Sequence, residues 1–159
     1  MPGNAVRLYD EDFVRWTEEQ GAALRQAARS GTNLPLDWEN LAEEVESLGR
    51  SERRELRNRI AVILEHLLEL QCSRAQDPRS GWMDTIEREW STIGRLLEDS
   101  PSLRNELADL IAQEITRARR LAARSLERHG EADAARAAGL GDARYAPEQV
   151  IGDWFPDET

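Results

Sequence analysis

The chain predicts an all-α fold, an antiparallel bundle of about five helices with an aromatic C-terminal segment docked against it. Three observations carry the prediction. Apolar residues recur with a period close to 3.6 almost from end to end. No segment alternates for long enough to argue a strand. The periodic runs are bounded by Asp, Ser, Gly or Pro where helices start and stop. At 159 residues the chain suits a single domain over 1–159, burying roughly 70% of the surface that its unfolded form exposes. Neither a disulfide nor a metal is needed on size grounds.

A first helix fits Asp10 to Ala28, where Phe13, Trp16, Gln20, Leu24 and Ala27 recur at helical steps and Gly31 follows as a left-handed terminator. Gly21 weakens its middle by about 1 kcal/mol relative to alanine. The second helix starts at Asp37 as N-cap, with Leu36 placed to staple against Leu41. It runs to Leu48, and Gly49 is expected to end or kink it. Ser51 then caps a third helix whose stripe is Leu56, Ile60, Ile63, Leu64, Leu67 and Leu70. This most apolar helix belongs at the centre.

A turn follows at Asp77, Pro78 and Gly81, since proline lacks a donor and restricts its predecessor. The fourth helix aligns Trp82, Ile86, Trp90, Ile93 and Leu97. Asp99-Ser100-Pro101-Ser102 caps a fifth, expected from Pro101 to His129 and roughly 43 Å long. Gly130 closes it. Residues 131–144 are rich in alanine and poor in apolar bulk, so they read as a marginal helix or linker. Tyr145, Val150, Ile151, Trp154 and Phe155 are too apolar for a free tail and are expected to pack back onto the bundle.

Charge narrows the function. There are 31 acidic against 21 basic residues, a formal net charge of -10, which repels nucleic acid and anionic lipid unless a local patch overrides it. Every basic residue is arginine, so a P-loop lysine, a Schiff-base lysine and a lysine general base are all excluded. Cys72 is the one cysteine, which rules out an internal disulfide and points to a reducing compartment. No apolar run approaches the roughly 20 residues of a membrane span, and the N-terminus lacks a signal-peptide pattern. The sequence reads as cytoplasmic.

Several blocks resemble the bacterial family called domain of unknown function 29. They are Leu8-Tyr9 with Asp12, Phe13 and Trp16; Leu36 to Glu52; His66-Leu67-Leu68; Leu96 to Leu103; and Tyr145, Pro147-Glu148-Gln149 and Asp153-Trp154-Phe155-Pro156. Many members carry Lys-Trp after the histidine block, where this chain has Glu69-Leu70, so no role for that lysine carries over. The resemblance implies an α-helical domain and supplies no reaction, substrate or catalytic residue.

One polar group stands out. On a helical projection Leu41, Val45 and Leu48 share the expected packing face with Trp38, and Asn40 and Glu44 border it. Arg59 and His66 share a flank of the expected third helix. If these helices were neighbours, Asn40, Glu44, Arg59 and His66 would meet. Such a cluster either fixes helix pairing and register or tunes Glu44 and His66 to bind or turn over a small ligand. His66 and Glu69, with Glu44 as a third group, are the best metal ligands on offer. However, Ile63 and Leu126 stand three before His66 and His129, where a di-iron bundle has glutamate. No metal and no cofactor is therefore expected.

Arg50, Arg53, Arg54, Arg57 and Arg59 form one basic concentration, and Arg117, Arg119, Arg120, Arg124 and Arg128 another. Interleaved acids and a scattered projection favour ion-paired faces over phosphate binding. No nucleophile elbow or dinucleotide fingerprint occurs, and Cys72 has no histidine partner in sequence. The sequence leans away from an enzyme. Its leading reading is a non-catalytic interaction or regulatory module that binds protein, either a second copy as a homodimer or another chain. A small enzyme or ligand-binding bundle using the polar cluster is the alternative, and a nucleic-acid binder a weaker one.

Overall fold

The computed structural model describes residues 2–157 and is all-helical, with no strand among them. Seven α-helices follow in order: α1 (Pro2–Glu11), α2 (Phe13–Arg29), α3 (Trp38–Cys72), α4 (Arg79–Asp99), α5 (Leu107–Arg128), α6 (Ala132–Ala137) and α7 (Pro147–Ile151). Short 3-10 turns at Pro101–Glu106 and Leu140–Asp142 flank α5 and precede α7. Contacts divide the chain into two compact units. The first holds the described residues up to Glu55 with Arg95–Asn105; the second holds Leu56–Gly94 and the described residues from Glu106 onward. Both long helices, α3 and α4, contribute to each.

In the first unit the helix expected from Asp10 to Ala28 is α2, starting at Phe13, and a further helix, α1, precedes it. Asp12 lies in extended conformation (φ -157°) and its carboxylate accepts from the Arg15 N–H at 3.1 Å, capping α2. The same carboxylate accepts from the Ser102 N–H and hydroxyl, both at 2.9 Å. The fully buried Ser100 hydroxyl accepts the Val14 N–H at 3.1 Å. The Ser-Pro-Ser segment therefore serves α2 as well as the turn at Pro101–Glu106, where it was expected to start the fifth helix. That turn is 3-10, so α5 begins at Leu107 and spans about 33 Å in place of the longer helix from Pro101.

The second and third expected helices are one. α3 continues for 35 residues through Gly49 and Ser51. Glycine costs a helix about 1 kcal/mol, too little to break it where packing favours continuation. Here it does: Gly49 is buried, and a methyl group in its place would collide with the Thr17 Oγ1. Gly21 is buried likewise, and a methyl there would overlap the Glu46 side chain. α2 and α3 thus approach through Thr17, Gly21, Ala42 and Gly49, small residues that give little hydrophobic signal. Gly31, by contrast, takes φ 71° beyond the end of α2, as expected of a terminating glycine.

The second unit follows the sequence closely. Leu56, Ile60, Ile63, Leu64, Leu67 and Leu70 of α3 are buried, as are Ile86 and Ile93 of α4 and Leu107, Leu110, Ile111 and Leu126 of α5. Gly130 closes α5 with φ 74°. The C-terminal aromatics dock as predicted. The Trp90 indole N–H donates to the Val150 carbonyl at 2.6 Å, Phe155 lies 5.0 Å from the Trp90 ring, and the Tyr145 hydroxyl meets the Gln71 side chain at 2.6 Å. Val150 is wholly buried. Of 131–144, six residues form the short α6, and Arg119 Nε holds the following Ala143 carbonyl at 3.0 Å.

Candidate functional site

Asn40, Glu44, Arg59 and His66 all stand on α3, and the continuity of that helix decides their fate. Two residues can face each other across an interface only from different elements, and these four lie in line. Glu44 is roughly six turns from His66 along the axis. The structure brings none of them together. Asn40 is exposed, and its side chain donates to the Asp37 carboxylate at 2.6 Å. Glu44 is exposed. Arg59 donates to Glu89 at 3.1 Å on α4. His66 Nδ1 lies 2.8 Å from the buried Glu69 carboxylate, one turn on.

Of the metal ligands that the sequence offered, His66 and Glu69 do meet. Next to them Glu65, half-buried, is held above the usual carboxylate range, first by burial and then by the Glu69 charge. Glu44 does not reach this pair, and among the described residues no three His, Cys, Asp or Glu side chains converge as metal ligands. Cys72 is buried, and burial pushes its thiol up to about 11, which leaves it a poor nucleophile. An open groove of about 740 Å³ in the second unit has Trp82 and Leu126 on its wall. Two of its polar groups are already engaged, the Glu131 carboxylate by Ser73 and the Arg74 N–H, and His129 by the Ser125 carbonyl.

The first arginine concentration is for the most part ion-paired, as its interleaving with acids predicts, whereas in the second Arg119 holds the Ala143 carbonyl. Arg50 pairs with Glu43, Arg53 with Glu18, and Arg57 with Glu114 at 3.6 Å. The densest pairing surrounds Arg25, which the sequence did not single out. It grips Glu46 with two nitrogens at 3.0 and 2.9 Å and reaches Glu39 at 2.7 Å. Its hydrogen bonds hold the Glu46 carboxyl below the usual range.

What remains is a face. The first half of α3 has three sides at 100° per residue. One packs against α2 through Ala42 and Gly49. One carries Glu39, Glu43 and Arg50 in ion pairs. On the third, Leu41, Val45 and Leu48 fall within an arc of about 60°, and Leu41 and Leu48 are 40% and 47% exposed. The expected packing face of this segment is therefore the open one. Leu34 and Leu36, just before α3, are 61% and 51% exposed, so the predicted staple of Leu36 on Leu41 buries neither side chain.

Single exposed leucines are ordinary, but a contiguous apolar stripe is not. Among the described residues the exposed large hydrophobics are Tyr9, Leu34, Leu36, Leu41 and Leu48, all in the first unit. Covering the stripe would release roughly 1 kcal/mol for each half-exposed leucine. Acids accompany it. Glu52 projects into the arc and Glu44 beside it, and neither has an ion-pair partner among the described residues. Glu52 is held above the usual carboxylate range by partial burial, and next by the charges of Glu55 and Asp99. Arg50, Arg53 and Arg54, the arginines of this segment, project outside the arc.

Comparison with known proteins places the chain. The family model described as "Domain of unknown function DUF29" matches residues 8–151, so the chain belongs to that family. No curated protein matches it. It is similar to an α-helical protein of unknown function from Rhodospirillum rubrum, known from a crystal structure at 1.45 Å. The two share 23% identity with a TM-score of 0.67, over 93% of this chain and 98% of the other. That likeness shows the fold.

Proposed function

We propose that this member of the DUF29 family is a non-catalytic protein-interaction module of the bacterial cytoplasm, and that the open face of α3 is its binding surface. The observation that carries the reading is the pair Leu41 and Leu48. They stand seven residues apart on one helix face, exposed, while the other two sides of that segment are packed and ion-paired. A helix seam of this kind is what an interaction surface presents to a partner helix. The buried thiol of Cys72 supports a reducing compartment. Among the described residues no helix is long and apolar enough to cross a membrane. A small enzyme built on the His66 and Glu69 pair has less support, because among the described residues no converged ligand set accompanies that pair.

Photo-cross-linking in the native host tests the reading. A cross-linking residue at position 48 is expected to give discrete protein adducts, and the same residue at the exposed position 88 on α4 to give none. Equal, diffuse labelling from both sites would remove the basis for the surface.

A further inference from the structure

The occupant of the open face can be specified by its chemistry. The stripe of Leu41, Val45 and Leu48 is about two turns long and lies on one uninterrupted helix. An amphipathic helix with apolar residues at i, i+3 or i+4, and i+7 matches it in length and spacing. The charges beside the stripe decide which helix. Glu44 and Glu52 are unpaired acids, and the arginines of the segment project elsewhere: Arg50 is held by Glu43, and Arg53 by Glu18. Resting on the interaction reading above, we infer that this face binds a basic amphipathic helix of another protein, with Arg or Lys flanking its apolar stripe.

A second copy of this chain is the wrong occupant on the same grounds. Two-fold pairing sets a patch against itself. Here it would bring Glu44 and Glu52 of one copy into the same desolvated strip as their counterparts, with no arginine of either stripe between them. The net charge of -10 on each chain opposes that approach at longer range. A cationic helix reverses both terms. It also relieves Glu52, whose neighbours Glu55 and Asp99 are acids.

Two synthetic helical peptides of about five turns test this. They carry the same leucine stripe, one flanked by Lys and Arg and the other by Glu, and each is titrated into the full chain by fluorescence anisotropy. The mass of the chain alone is followed by sedimentation. The basic peptide is expected to bind at least tenfold more tightly than the acidic one and to weaken as salt rises. Binding is expected to fall about tenfold in Glu44→Gln/Glu52→Gln and at least tenfold in Leu41→Ser/Leu48→Ser, both of which replace side chains outside the buried core. Equal binding of the two peptides would overturn the basic partner and leave the face an interface. A dimer that dissolves in Leu41→Ser/Leu48→Ser would overturn it in favour of a second copy. Basic-peptide binding untouched by the leucine changes would reduce the effect to diffuse charge attraction and overturn it too. No binding by a monomeric chain would overturn both this inference and the interaction reading.

Discussion

The two halves of α3 are written in the same code and end in different surroundings. From Leu56 onward the apolar stripe of Leu56, Ile60, Ile63, Leu64 and Leu67 is wholly buried in the second unit. Before it, Leu41, Val45 and Leu48 keep the same spacing, yet Leu41 and Leu48 are left 40% and 47% exposed. In the first unit α3 packs instead through Ala42 and Gly49, a quarter-turn away. Apolar periodicity therefore marks a face that is to be covered and is silent about whether the cover comes from the same chain. Small residues that let two backbones approach compete for the packing side, and in the first half of α3 they win.

The largest expected effect separates the halves directly. Leu64→Ala removes a fully buried side chain and should cost about 2–5 kcal/mol in urea unfolding, whereas Leu48→Ala should stay within about 0.5 kcal/mol. A comparable loss from Leu48 would mean that the open stripe is part of the core, and the contrast would collapse. Glycine gives the next largest effect. Gly49→Ala should destabilise by about 1–3 kcal/mol because the new methyl meets the Thr17 hydroxyl. Gly94→Ala, with no atom within 4 Å of the added carbon, should stabilise α4 by about 0.5–1 kcal/mol. Two changes of the same sign would show that helix propensity, and not close approach, governs the first unit.

Removing the shared cap comes next. Asp12→Ala should cost about 1–2 kcal/mol, since one carboxylate caps α2 and holds the Ser102 backbone. Asp12→Asn, which keeps an acceptor oxygen, should restore part of that loss.

Acid titration sharpens the contrast between the paired and the open side of α3 with the smallest shifts. Glu46 has a folded pKa depressed by Arg25, so it contributes stability that is present above its unfolded pKa and is lost as pH falls through the folded one. Glu52 has a folded pKa raised by partial burial and neighbouring acids, so the chain binds a proton more readily folded than unfolded, and stability falls as pH rises through that window. Urea midpoints across the acidic range should therefore lose part of their acid-side fall in Glu46→Gln. In Glu52→Gln they should lose a small opposing slope and rise slightly near neutral pH. Midpoint curves parallel to wild type in both variants would break the pairing of these two signs.

Much of the fold was legible in the sequence, and for identifiable reasons. The stripe from Leu56 to Leu70, the left-handed stops at Gly31 and Gly130, and the docking of Tyr145 and Val150 each follow from a strong local signal that nothing nearby contradicts. The polar cluster of Asn40, Glu44, Arg59 and His66 was not legible, because it depended on Gly49 ending a helix. A glycine inside a helix and a glycine after one look alike in sequence; the close approach of Thr17 distinguishes them, and that is a tertiary fact. Arg25 escaped notice for a related reason. Its three acids lie on another helix, and only the crossing of α2 and α3 gathers them. The recurrence of Thr17 with Gly21 and of Ala42 with Gly49 was the available trace, two small residues on one face of each helix.

Asp12 and Ser102 are 90 positions apart, and between them lies Leu56–Gly94 of the second unit. Synthesis runs from the N-terminus, so α2 is complete long before the groups that hold its first turn exist. At about 5–20 residues per second, several seconds separate the appearance of Glu55 from that of Ser100 and Ser102. During that interval the Val14 N–H and the second face of the Asp12 carboxylate stand without their partners. The first unit can close only on a nascent chain that already carries α3, α4 and the Pro101–Glu106 turn, which makes the Asp12 joint a timekeeper for folding on the ribosome.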